Sequence, residues 1–395
     1  MHHTVLYILG RYPVWSETFL RQDLDLLLQS GVPLVPVALF SGDTVPRDDW
    51  PPVEVLSPSP AASGGSARFR SFLGRILPRT VRYRAALLRH RILLEGLVAR
   101  GRAAHCVHVH AEFADLPGVL GGAAAARLGC SRSVGVHARD VFQCRYPPEV
   151  LFGGAAFLTV CNRAARGALL GRLPSCGDSV HLIHHGLRLE QWPFREEAAV
   201  HRPFRVVYVG RLVSKKGVSV LLRALRLALA GGFPVHLDVV GDGPLRGDLR
   251  GLAAEWGLHD AVSWHGVLTR SAVRVQLERA DCLTAPSVVT AQGDRDGIPN
   301  VVLEGLALGT PVAASTVGGI PEVISDATGW PCVPGCPRSL VDAWGRIAEG
   351  GAAVDAKRRA GRKVVVSRFD AVREARRRAA LFRAVCDSTS AGRKV

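Results

Sequence analysis

The nine cysteines of this chain include no C-x-x-C pair and lie scattered from Cys106 to Cys386, so neither a disulfide framework nor a zinc site is indicated. A reducing cytoplasm fits that usage. No window approaches the roughly 18 to 20 apolar residues that span a bilayer, and the opening MHHTVLYILGRYP has no basic leader and no small-residue cleavage site. The chain reads as soluble or peripheral. It has no internal repeat. Lysine is scarce, five residues against 45 arginines, so the place of each lysine is informative.

What is present is an ordinary globular composition: 395 residues, 48% hydrophobic and 21% charged, with 42 glycines and 24 prolines. That excludes a disordered, collagenous or coiled-coil chain, and the length favours two domains with a core each. The net charge of +16 is concentrated in two segments. Residues 68–102 carry ten arginines against Glu95 alone, and residues 356–395 carry thirteen Lys and Arg against three acids. The remainder is slightly acidic.

Short apolar runs recur between helical stretches: TVLYIL (4–9), LVPVAL (34–39), CVHVH (106–110), SVGVH (133–137), FLTVC (157–161) and VHLIH (180–184). A second series follows with RVVYVG (205–210), VHLDVVG (235–241), CLTAP (282–286) and PVAAS (311–315). Apolar runs without strict alternation predict strands covered on both faces, and their alternation with helices predicts βαβ units in parallel sheets. Both halves of the chain read this way, an α/β protein with two doubly wound, Rossmann-like domains. The polar stretch 190–203 reads as the connection between them, and the Ser-, Pro- and Gly-rich stretch 56–67 as a mobile loop. The expected domains are 1–195 and 196–368.

Ligands of such sheets sit beyond the carboxyl ends of the strands, which directs attention to the turns there. After RVVYVG comes the turn Gly210-Arg211-Leu212-Val213-Ser214-Lys215-Lys216-Gly217, and a helical pattern starts at once. Cationic side chains beside free helix N-terminal amides suit a diphosphate, and two of the five lysines stand here. A solvated basic turn is the alternative. After CLTAP, the segment QGDRDGIPNVVLEGL sets Asp296 and Glu304 around Gly297, Pro299, Asn300 and Val301. A helix starting near Pro299 would aim its amides at an anion, with Glu304 about one and a half turns inside. Two carboxylates so placed can accept hydrogen bonds from ribose and sugar hydroxyls; a capped acidic helix start is the alternative.

Taken together, the G-R-L…K-K-G turn and an acidic residue, Asp296, separated from Glu304 by seven positions resemble the signature of the family 4 retaining glycosyltransferases, the glycosyl transferases group 1 of GT-B fold. VVGDGPLRGDLRGLAAEWGL (239–258), WHGVLTR (264–270) and STVGGIPEVI (315–324) continue the likeness. In the first half, P-V-W-S-E-T-F (13–19) and H-A-R-D-V-F (137–142) resemble the exopolysaccharide branch of that family. The resemblance implies a retaining transfer of a sugar from a nucleotide sugar, with no metal and no cofactor. It implies Arg211 and Lys216 on the diphosphate, Glu304 on the ribose, and Asp296 and the 297–301 amides on the donor sugar. His137 would contact that sugar, while Ser16, Glu17, Thr18, Glu112 and Asp140 lie toward the acceptor. Asp296 stands where Glu is commoner in the family, and Glu112 where His is usual. A GT-B last helix, here about 369–387, crosses back to the N-terminal domain, leaving 388–395 as an expected disordered tail. It would carry Arg373, Arg376, Arg377 and Arg378 toward the domain that holds the arginines of 68–102, and the two basic segments are expected to act together.

The branch also implies a glycan acceptor linked to a polyprenyl diphosphate. The basic amphipathic stretch 68–97 accordingly reads as a contact with an anionic membrane, although a core helix with a solvated basic face has the same pattern. His108 and His110 alternate on a strand with no partner at ligand spacing, which argues against metal. Rival readings are a GT-B sugar-nucleotide epimerase, a phosphorylase, which would need a Schiff-base lysine while the two motif lysines are committed to the diphosphate, or a non-enzymatic basic protein binding nucleic acid or membrane. Few aromatics interleave the basic residues, which disfavours nucleic acid.

Overall fold

The computed structural model describes residues 4–14, 17–43, 50–57, 78–197 and 200–392. Ser16, Arg68, Arg70, Arg75 and residues 58–67 of the Ser/Pro/Gly-rich stretch lie outside that set. All ten apolar runs are strands, in two parallel sheets. The first sheet contains β1 (Thr4–Tyr12), β2 (Leu34–Ser41), β3 (Glu54–Val55), β4 (Cys106–Glu112), β5 (Ser131–Val136), β6 (Phe157–Val160) and β7 (Val180–Leu182), in the order β3-β2-β1-β4-β5-β6-β7. The second contains β8 (Phe204–Val209), β9 (Val235–Val240), β10 (Val262–Gly266), β11 (Cys282–Ala285), β12 (Val312–Ser315) and β13 (Trp330–Cys332), in the order β10-β9-β8-β11-β12-β13. Each is doubly wound, and the order reverses between β1 and β4 and between β8 and β11.

The chain divides into two compact units, residues 1–184 with 372–395, and residues 185–371. The stretch 190–203 belongs to the second unit because its aromatics anchor it: Trp192 is buried, and Arg358 donates to the carbonyls of Arg195 and Glu196. The chain passes between the units twice, and the two passages are tied together. Leu187 and Asp370 form a parallel bridge, with Leu187 N–H on the Phe369 carbonyl and Ala371 N–H on that of Leu187.

In the first unit the lack of alternation has its expected cause. Val5, Tyr7 and Leu9 of β1 face one core with Leu20, Leu24 and Phe382, while Leu6 and Ile8 face another with Leu93, Leu97 and Leu120. The final helix, Ala371–Gly392, therefore lies on one face of the sheet and the helix Arg91–Ala103 on the other. The last helix thus returns to the first unit, as expected, on the face opposite the helix Arg91–Ala103. Arg378 is buried rather than displayed, 3.1 Å from Asp23. Phe382, one turn further on, packs on Phe157, His110 and Tyr7 and holds the helix down; its loss would cost on the order of 3 to 5 kcal/mol. The helix continues to Gly392, past residue 388, where the sequence reading began a tail, because Ser388–Ala391 contains no helix breaker.

From residue 78, where its described part begins, the first basic stretch is two helices rather than one. Arg79–Arg89 follows Pro78, and Arg91–Ala103 begins after a break at His90. Leu93, Leu94, Leu97 and Val98 are core, whereas Val81, Leu88 and Ile92 are left exposed. No helix among the described residues is long and apolar enough to cross a membrane.

Candidate functional site

In the second unit the site assembles at the β8/β11 reversal. β8 runs into Gly210, a 3-10 turn Ser214–Lys216 and the helix Val218–Ala230. Gly217 joins turn to helix at φ 65°, and a Cβ there would fall 1.9 Å from the Pro286 carbonyl oxygen, so only glycine permits this approach. The approach sets the lysine turn against the loop that follows β11, where Val288 N–H also donates to the Lys215 carbonyl. Lys216 Nζ consequently stands 2.9 Å from Asp296 Oδ2, and Lys215 Nζ 3.2 Å from Asp294 and 3.8 Å from Asp296.

Asp296 is buried and also accepts from Ser287 Oγ at 2.6 Å. Burial alone would push its carboxyl up, but Lys216, Ser287 and Lys215 together hold it below the usual carboxylate range. Gly318 closes the loop from the far side: at φ 57°, its absent Cβ leaves room for the Asp296 carbonyl. The expected helix is present as Asn300–Leu308 with Pro299 at its N-cap, after Gly297 and before the buried Val301. Glu304, inside that helix, is pushed up to about 7 by burial, with Arg270 the opposing influence. The Arg211 side chain is exposed, and its carbonyl accepts from Tyr208 Oη. The site thus combines two lysines, an ionised Asp and a half-neutral Glu.

In the first unit, β4 ends in Glu112 and β5 leads to His137, which begins the short helix Ala138–Phe142. His137 N–H donates to Asp140 Oδ2 at 2.9 Å in a capping box. Glu112 Oε1 lies 3.4 Å from His137 Nε2, and Asp140 Oδ2 lies 3.6 Å from Nδ1. The Phe113 ring packs on the imidazole at 4.1 Å from an uncommon backbone of φ 77°, the kind of local strain that clusters at functional sites. Burial would lower the His137 pKa, but Asp140 and Glu112 outweigh it and raise it.

The acceptor-side candidates do not form one group. Asp140 lines a shallow cavity with Asp115, Arg139, Arg145 and Tyr146. Glu17 and Thr18 line another with Arg11, Tyr12, Arg21 and Trp50. Glu112 lines neither and is fully interior. His108 and His110 are buried on one face of β4 and engage Ser131 and Ser133, with His110 also on Glu112. Among the described residues no three His, Cys, Asp or Glu gather as metal ligands. Sequence reasoning missed Ser287, Asp294 and Arg270, which are ordinary residues without pattern. It named Lys215 without a role, although its place beside Lys216 was the available signal.

Residues 203–349 match the family model described as Glycosyl transferases group 1. The chain is 27% identical over 372 residues to the amylovoran biosynthesis glycosyltransferase AmsK of Erwinia amylovora, covering 87% of this chain and 90% of that protein. WcaL of Salmonella typhimurium, named for colanic acid biosynthesis, is 27% identical over 82% of this chain and 86% of its own. Among solved structures, Anabaena HepE in complex with UDP and glucose superposes with a TM-score of 0.71 at 17% identity, covering 97% of this chain and all of that one. Sucrose-phosphate synthase of Thermosynechococcus elongatus gives 0.72 at 20% identity, covering 98% of this chain and 100% of that chain.

Proposed function

This chain is a glycosyltransferase of the glycosyl transferases group 1 family, with the GT-B fold, and from that premise we propose that it moves a sugar from a nucleotide diphosphate sugar to a glycan acceptor in exopolysaccharide synthesis, with retention of anomeric configuration. The observation that carries the reading is the pairing of Lys216 with Asp296 at the sheet reversal, where doubly wound folds bind nucleotides. AmsK and WcaL support the polysaccharide, and the UDP and glucose of HepE support the donor.

Arg211 and Lys216 hold the diphosphate and stabilise the charge it gains as the sugar leaves. Asp296 and the 297–301 backbone take the sugar hydroxyls, Glu304 the ribose hydroxyls, and His137 acts on the donor sugar. The bond between anomeric carbon and diphosphate oxygen breaks while the acceptor oxygen bonds that carbon on the same face. A leaving-phosphate oxygen takes the acceptor proton. Three cationic side chains, Arg211, Lys215 and Lys216, supply the charge that a divalent ion supplies elsewhere, so no metal or cofactor is required.

The acceptor is a glycan on a polyprenyl diphosphate, met at the inner face of the plasma membrane by the first unit, where Glu17 and Thr18 line one cavity and Asp140 another. Supporting the membrane contact, Val81, Leu88 and Ile92 are 44%, 75% and 79% exposed, and exposed Arg84, Arg89 and Arg91 flank them. The test is a panel of nucleotide sugars read by thermal stabilisation, where a ligand at 100 times its Kd adds about 2.7 kcal/mol, followed by NMR of the product's anomeric coupling. Stabilisation by none of them, or an inverted product, would overturn the reading.

A further inference from the structure

The first unit holds a buried polar cluster to which the sequence assigns no common purpose. Glu112 Oε2 accepts from Tyr7 Oη at 2.6 Å and from His110 Nε2 at 3.1 Å, and Arg378 NH1 stands 3.8 Å away. Its other oxygen faces His137 at 3.4 Å. Arg378 also pairs with Asp23 of the helix Thr18–Gln29 at 3.1 Å. Tyr7, Glu112 and Arg378 are each no more than 3% exposed.

We propose that Arg378, on the helix that returns to the first unit, is a positioning residue for His137, acting through Glu112. The inference rests on the assignment of His137 to the donor sugar only for its consequence in turnover; the coupling itself is a property of the cluster. Three observations carry it. The register of β4 and β5 sets Glu112 opposite Gly135, and a Cβ at 135 would fall 2.6 Å from Glu112 Oε1. The carboxylate therefore uses the space that glycine leaves, next to the strand end from which His137 emerges. The helix that carries Arg378 is held in turn by Phe382, which packs on Tyr7 and His110. Finally, a buried carboxylate without a cation would take up a proton. Burial does push Glu112 up, but His110, Arg378 and His137 hold it well below the usual carboxylate range.

The charged and titratable groups around His137 and its carboxylate come from every element packed there. They are Tyr7 of β1, Asp23 of the first helix, His110 and Glu112 of β4, Asp140, Cys161 after β6, and Arg378. Arg378 thus has two opposite influences on the imidazole. It keeps Glu112 anionic, which favours the imidazolium, and it repels that imidazolium directly. Without the guanidinium the buried Glu112 takes up a proton, and for the imidazole the loss of that negative charge outweighs the loss of the weaker direct repulsion.

The experiment is a histidine titration by NMR on the full chain, with the His137 signal assigned by His137→Gln. The midpoint is expected to move down in Arg378→Gln and in Glu112→Gln, and to stay near wild type in Arg378→Lys. If Arg378→Gln does not fold, Asp23→Asn/Arg378→Gln, which removes the ion pair without changing net charge, takes its place. A fall in Arg378→Gln that Arg378→Lys does not share is not produced by loosened packing. An unmoved or raised His137 midpoint in Arg378→Gln, or in the double variant, overturns the proposal. Turnover separates the inference from the reading beneath it. With coupling intact and His137 on the donor sugar, kcat falls on the order of ten- to a hundredfold in Arg378→Gln. Shifted titrations with wild-type kcat would leave the coupling standing and remove His137 from the reaction.

Discussion

The ammonium of Lys216 and the carboxylate of Asp296 stand 2.9 Å apart, joined by two loops that meet because Gly217 has no side chain. In the unliganded protein the pair neutralises itself, and a diphosphate would have to share the lysine. Lys216→Ala should therefore lower kcat by on the order of 10² to 10³, since a cation is lost where negative charge develops. Asp296 keeps Ser287 and Lys215, so melting temperature should change little. Wild-type turnover by this variant would show that Lys216 does not hold the diphosphate.

Glu304 gives a pH dependence of definite sign. Its carboxyl titrates at about 7 in the folded chain, against an ordinary value of 4.5, because it is buried. A raised folded pKa means that the contribution to stability is present below the unfolded value and is lost as pH rises through about 7; its full size is on the order of 3 kcal/mol. In the proposed role ribose hydroxyls donate to the ionised form, so donor affinity should weaken as pH falls below about 7, approaching tenfold per unit. Glu304→Gln should be more stable than wild type at pH 8 and yet bind the donor less well. Melting curves from pH 5 to 8 and calorimetric donor titrations in two buffers check both halves.

The sequence displays the sheets because each strand is apolar on both faces, a pattern that survives without any partner in view. It does not display β3, β10 or β13: Glu54–Val55 is two exposed residues, and Val262–Gly266 and Trp330–Cys332 are too short or too polar for periodicity. The lysine turn was legible because lysine is rare. Arg378 was not, since it stands in a run of three arginines, and only the Asp23 and Glu112 that face it distinguish it from its solvated neighbours. Local pattern reports which residues can be buried; it does not report which of several like charges will be.

If side-chain cations do the work of a metal, transfer should survive EDTA at a rate within about twofold of the untreated enzyme. The informative companion is Lys215→Ala, which removes the partner of Asp294. That variant should lose about tenfold in rate and gain nothing from Mn²⁺. Abolition by chelation with recovery on adding Mn²⁺ would mean that a divalent ion neutralises the diphosphate.

The proposed membrane contact reduces to a small surface among the described residues. Val81, Leu88 and Ile92 are left outside both cores, while Leu93 and Leu97 beside them are buried, so the exposed apolar residues are not needed for folding. Arg100 is unavailable because it pairs with Glu54, and the buried Arg378 lies on the opposite side of the sheet. Among the described residues Arg79, Arg84, Arg89, Arg91 and Arg102 are exposed cations of these two helices, with Arg84, Arg89 and Arg91 nearest in sequence to Leu88 and Ile92, and at roughly 1 kcal/mol for each basic residue near an anionic surface, binding should be weak and salt-sensitive. Leu88→Ser/Ile92→Ser should weaken sedimentation with anionic vesicles at every salt concentration, and Arg84→Glu/Arg89→Glu/Arg91→Glu mainly at low salt. Neither should alter donor binding, because Lys216 and Asp296 belong to the other unit. Equal binding of both variants and wild type to anionic vesicles would show that the stripe is a solvated helix face.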